Sequence, residues 1–133
     1  MNRRDFIKNL FGLPILIPFK DKFFQPDTGK KSKAILIQNS PVAGFQFYEG
    51  EHLWDQFSIG DVLQLIREPD NSYDENAVEI YWRKRKLGYL PCVENTIIAR
   101  IMDQGQVFAA RILGKMESFN PWERLAIEVW LQI

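Results

Sequence analysis

Beyond residue 32 the chain alternates short apolar runs with clusters of Pro, Gly, Asn and Asp, a spacing that favours many short strands over long helices. Residues 33–38 predict a first strand, and the chain is expected to stay extended over 42–48 after the break at Asn39-Ser40-Pro41. Residues 62–67, 77–82 and 87–90 predict three more strands, the last ending at Pro91. Between the latter two, Arg83-Lys84-Arg85-Lys86 is placed at a hairpin tip. One helix is expected after Asn95, because Ile97, Ile98, Ile101 and Met102 recur at three and four and Gly105 stands where it would stop. Two final strands, 106–113 and 125–131, are separated by a turn at Asn120-Pro121. The pattern predicts a mainly β fold, a small antiparallel OB-like or SH3-like barrel of about six strands with one amphipathic helix. Glu79, Gln106 and Glu128 among apolar neighbours are expected on its wet face.

The length of 133 residues fits a single domain able to bury a core without metal or disulfide. Aromatic residues make up 14%, which suits large side chains in a strand-rich core. The formal net charge is zero, with 17 Lys plus Arg against 17 Asp plus Glu. That sum hides two unlike parts. Residues 1–33 hold eight basic and three acidic residues, so the remainder holds nine basic and fourteen acidic. The body therefore lacks the basic footprint of a protein that coats duplex DNA.

The first segment, 1–32, reads as a leader and linker, with the domain at 33–133. Arg3-Arg4-Asp5-Phe6-Ile7-Lys8 followed by the apolar run 10–19 resembles a twin-arginine export signal. It departs from that pattern at Pro14 and Pro18 and offers no small-residue cleavage site before Lys20. A working leader implies export to the periplasm, whereas without one the chain stays in the cytoplasm.

No catalytic constellation emerges. The lone His52 reads as a surface side chain and the lone Cys92 as a structural thiol in an apolar stretch. Asp70-x-Ser72-x-Asp74 lacks the glycine and distal glutamate of a calcium loop, so neither metal nor cofactor is expected. An enzyme acting on a small-molecule substrate is not expected either. Two pieces do carry information. Gly44-Phe45-Gln46-Phe47-Tyr48-Glu49-Gly50 sets aromatic rings side by side, so that one could enter the core while another faces solvent. The loop 67–76 gathers Asn71, Tyr73, Asp74 and Asn76, which together offer amide, phenol and carboxylate groups for a base edge or a sugar hydroxyl.

These two pieces, with Leu87-Gly88-Tyr89-Leu90-Pro91, resemble the HIRAN domain, most specifically through Arg67-Glu68-Pro69-Asp70-Asn71-x-Tyr73-Asp74-x-Asn76-Ala77-Val78. The family occurs alone in bacteria and attached to SNF2-type DNA translocases. The resemblance implies an OB-like barrel that captures the 3′ end of single-stranded DNA, including its terminal hydroxyl. It implies that Phe47 and Tyr48 contact terminal bases, that Asn71 binds a base, that Tyr73 stacks, and that Asp74 accepts from the 3′-hydroxyl. Three positions depart: Gln46 replaces an arginine, and Tyr89 and Cys92 stand where DNA-binding members offer histidine and lysine to phosphates. Arg83, Lys84, Arg85 and Lys86 are the candidate substitutes for phosphate contact.

Other readings compete. Phe47 and Tyr48 could serve packing, Asn71 and Asp74 could only fix their loop through side-chain to backbone bonds, and the basic tip could be a solvated hairpin end. Two functions stand at this stage: a non-enzymatic module binding a single-stranded DNA 3′ end, or an exported protein-interaction adaptor that has lost DNA. The aromatic pair and the 67–76 loop make the first the leading reading; the acidic body, the three departures and the leader motivate the second as its alternative.

Overall fold

The structure, a computed structural model, describes residues 33–133. The leader, its arginine pair and the linker lie outside the described residues. Six strands form: β1 (Ala34–Pro41), β2 (Val62–Arg67), β3 (Val78–Trp82), β4 (Arg85–Tyr89), β5 (Val107–Lys115) and β6 (Leu125–Gln132), with the helix α1 (Thr96–Asp103) between β4 and β5. They make one antiparallel sheet in the order β1-β6-β5-β2-β3-β4.

The sheet curls until its two edge strands approach. Ala43, two residues beyond β1, pairs with Tyr89 in β4 through bonds of 2.8 and 2.9 Å in both directions. Glu49 N–H then donates to Lys86 O at 3.1 Å, so the segment after β1 runs along the free edge of β4. That seam gives the barrel-like closure the alternating pattern predicts. It passes over Gly88, whose φ is +152° and whose missing Cβ would stand 2.3 Å from Ala43 O and 2.8 Å from Val42 Cγ1. Bulges in β1 between Leu36 and Gln38 and in β5 between Ile112 and Gly114 sharpen the bending of the sheet.

The core is filled from β2 to β6, by Leu63, Val78, Ile80, Leu87, Ile112, Leu125, Ile127 and Val129 among others. The helix closes it with Ile98 and Ala99, and Ile101 and Met102 pack from the side. Ile97 is exposed instead, because the buried arc is centred one residue further along than the apolar spacing alone indicates. Gly105, at φ +98°, ends the helix as expected.

Three local expectations are corrected. Residues 42–48 do not stay extended: Gly44 takes φ +75° and Phe45–Phe47 forms a 3₁₀ turn. The buried Phe45 ring drives this, lying edge-on to Trp54 at 6.0 Å between centroids. It also occupies the space a side chain at Gly50 would need, at 2.1 Å from the missing Cβ. Cys92 is exposed in a short turn and is not a core thiol. Glu79 is buried rather than on the wet face, because Lys86 on the neighbouring strand comes to meet it.

Candidate nucleic-acid end site

The loop between β2 and β3 is built around Asn71. Its Oδ1 accepts the backbone N–H groups of Tyr73 at 2.8 Å and Asp74 at 2.9 Å, an Asx-type turn that sets both following side chains. Its Nδ2 donates to Glu68 Oε1 at 2.9 Å. Arg67 fastens the far end of the loop, donating to Ala77 O at 2.7 Å, Glu75 O at 3.1 Å and both oxygens of Asp103 in α1. Asp74 is anchored on each oxygen: Oδ1 accepts Asn76 N–H at 2.9 Å and Oδ2 accepts Asn95 Nδ2 at 2.8 Å. A carboxylate has about four lone-pair sites, so two anchors leave it free to accept more. Tyr73 is carried outward by the turn and is 95% exposed.

The aromatic segment is placed by the 3₁₀ turn. In such a turn residues three apart eclipse, so Phe45 and Tyr48 share one side and Phe47 is thrown to the other. Phe47 is 74% exposed. Tyr48 is half-buried against Tyr89, the rings edge-on at 6.0 Å, with the Lys86 ammonium 4.4 Å from one ring centroid and 4.2 Å from the other.

Lys86 joins the two halves of the site. Its Nζ donates to Glu79 Oε2 at 3.1 Å and to Tyr89 OH at 2.8 Å. Tyr89 OH in turn donates to Glu68 Oε1 at 2.5 Å, the same oxygen that holds Asn71. A continuous polar chain therefore runs from Tyr48 through Lys86, Tyr89, Glu68 and Asn71 to Asp74.

The electrostatics follow from those bonds. Hydrogen bonds from Tyr89 and Asn71 hold the Glu68 carboxyl below its ordinary range. Burial, then the bond to Glu68, pushes the Tyr89 phenol up to about 12. The Lys86 ammonium is shifted upward too: burial opposes its charge, but the bonds to Tyr89 and Glu79 outweigh it. These directions fix a pH profile. Tyr89 and Lys86 titrate higher in the folded chain, so their contribution is intact below pH 10, where the unfolded phenol would ionise, and fades as pH climbs toward 12. Glu68 titrates lower when folded, so its contribution is intact above its ordinary value and fades in acid. Urea midpoints measured across pH should show a plateau between these limits, and Tyr89→Phe should flatten the alkaline fall.

The basic tip is less available than its sequence implies. Arg83 and Lys84 form the turn itself, at φ +49° and +73°, and Arg83 lies over the Trp82 ring at 4.6 Å. Arg85 is already in β4 and pairs with Glu49 at 2.6 Å, while Lys86 pairs with Glu79. Arg85 and Lys86 thus carry carboxylate partners.

Sequence reasoning missed Glu68, Glu79 and Asn95 as members of this site. An acidic residue in a loop, another in a strand and an Asn before a helix look like ordinary surface and cap choices, and only the fold brings them to Lys86, Asn71 and Asp74. It also missed Trp122. The turn Pro121–Glu123 packs beside Phe45–Phe47, which brings the half-exposed Trp122 near the Phe47 segment.

A family model described as the HIRAN domain matches residues 35–133. No curated protein sequence matches the chain. Two solved structures share the fold. A crystal structure of a protein from Lactobacillus plantarum is 24% identical with a TM-score of 0.67, covering 76% of this chain and 97% of that one. The crystal structure of the HIRAN domain of human HLTF is 19% identical with a TM-score of 0.54, covering 74% and 77%.

Proposed function

The chain belongs to the HIRAN family of DNA-binding modules, and on that premise we propose that it captures the 3′ end of a single DNA strand, reading the terminal hydroxyl with Asp74. The observation that carries this is the pairing of exposed rings with an anchored acceptor. Phe47 and Tyr73 are exposed rings on the two segments that the polar chain joins, and beside Tyr73 the Asp74 carboxylate is held on both oxygens with acceptor capacity to spare. Stacking of a base on an aromatic ring contributes about 1–3 kcal/mol and tolerates any base. Trp122 offers a further ring face next to the Phe47 turn. Asn71 serves mainly to shape the loop, so its part in base contact is limited to the N–H that Glu68 leaves unused.

Phosphate contributes little in this reading. With Arg85 and Lys86 paired to carboxylates, the tip offers at most two cations to the backbone. Two neutralised phosphates on a single strand give a slope of log K against log salt of about −1.4. Fluorescence anisotropy of the full chain across a salt series should give that shallow slope; a slope several times steeper would point to a basic surface elsewhere.

The deciding experiment compares short oligothymidylates ending in 3′-hydroxyl, 3′-deoxy and 3′-phosphate. The 3′-hydroxyl strand should bind about tenfold more tightly than either other end, as expected for a hydrogen bond to a charged acceptor. Equal binding of the three ends, or no binding, would turn the assignment toward a protein-interaction role, which the acidic body then favours. The export reading of the leader is a separate proposal, tested by fusing residues 1–32 to a reporter and scoring twin-arginine-dependent export.

A further inference from the structure

We propose that Asn95 is a positioning residue that holds the Asp74 carboxylate ready for the terminal hydroxyl, an inference that rests on the reading of Asp74 above. Asn95 stands at the N-cap of α1, where an Asn side chain ordinarily accepts a hydrogen bond from a first-turn N–H. It makes no such bond. Its Nδ2 donates across to Asp74 Oδ2 at 2.8 Å, and its Oδ1 is enclosed without any hydrogen-bond partner. The whole residue is only 1% exposed, so water does not satisfy that oxygen from outside. Turning the amide over would be worse, because Oδ1 would then face a carboxylate oxygen with no proton between them.

Asn95 therefore forgoes two local stabilising interactions at once, the helix cap and the satisfaction of a buried oxygen. What it gains is one bond to Asp74. A residue that breaks its local rules in favour of a single long-range contact is the pattern expected where function, not stability, selects the side chain. The geometry says what the contact does. Asn76 N–H fixes Asp74 Oδ1 from within the loop, and Asn95 fixes Oδ2 from the helix, so the plane of the carboxylate is set from two independent elements. Without Asn95 the group would be tethered on one oxygen and free to rotate, and it would meet a hydroxyl in many geometries instead of one.

Asn95→Ser and Asn95→Ala test this. Both remove the Nδ2 donor to Asp74 and the enclosed oxygen, and Ser keeps an oxygen that can cap α1. Each should stay folded, with Asn95→Ser the more stable of the two, since its hydroxyl can cap α1 and both changes remove the enclosed orphan oxygen. Each should nonetheless cut the preference for 3′-hydroxyl over 3′-deoxy oligothymidylate from about tenfold to about threefold or less. In an Asp74→Ala background, Asn95→Ser should leave the remaining preference unchanged, because the two residues act as one unit. A wild-type preference that survives in a folded Asn95 variant overturns the role of Asn95 and leaves the Asp74 reading standing. A wild-type chain with no preference overturns both. If neither variant folds, Asn95 is a structural brace and the proposal falls.

Discussion

Gly88→Ala should lower the unfolding free energy by about 3–5 kcal/mol, the combined cost of a strained backbone conformation and an overpacked contact. The added methyl would stand 2.3 Å from the carbonyl oxygen of Ala43 and 2.8 Å from Val42 Cγ1, and φ at +152° is uncommon for a residue with a Cβ. The obstructing oxygen belongs to a backbone group already bonded to Tyr89 N–H, so it cannot move without opening the seam. Domains of this size are stable by roughly 5–15 kcal/mol, so the change removes a large share of the total. Urea unfolding followed by tryptophan fluorescence reads the effect directly. A loss under about 1 kcal/mol would mean that the barrel closes without the Ala43–Tyr89 contact.

The second large effect is expected at Lys86. Lys86→Met should destabilise by about 2–4 kcal/mol, because it strands the Glu79 carboxylate in a site closed to most solvent. The same change removes the donor to Tyr89 and the cation lying between the Tyr48 and Tyr89 rings. The double replacement Lys86→Met with Glu79→Met should recover most of that loss, since an apolar pair of similar volume often replaces a buried ion pair without cost. Binding should not follow stability here. If the polar chain from Lys86 to Asn71 shapes the loop, the double variant will fold and still show a weakened preference for the 3′-hydroxyl, measured on the same oligonucleotides. Full recovery of both would confine Lys86 to a structural role.

The strands were legible because their apolar runs are short and bounded by Pro, Gly, Asn and Asp, so pattern and tertiary environment agree. The helix was legible for the same reason, though Ile97 shows that spacing alone does not say which of two adjacent apolar residues is covered. The aromatic segment was misread because Phe, Tyr and Gln suit a strand, and nothing local reveals that Phe45 must turn into the core under Gly50. Of the candidate site, the loop from Arg67 to Asn76 could be located and its Asx-type bonding anticipated, since Asn and Asp make those bonds with their own backbone. The long-range part could not. Whether a cation meets phosphate or a carboxylate depends on what the sheet register sets opposite it, and Lys86 finds Glu79 only through the β3–β4 pairing.

The seating of β1 has a consequence for the order in which the molecule can assemble. Its ladder partner is β6, with Ala34 opposite Gln132 and Pro41 opposite Ala126, so among the described residues the first strand pairs with the last. Chains emerge at about 5–20 residues per second, which leaves β1 without its ladder until β6 has been made. Pairings this distant along the chain place small β domains among the slower folders, on the millisecond to second scale. Whatever the first 32 residues do, they are attached to a strand whose place in the sheet is decided only once β6 has been made.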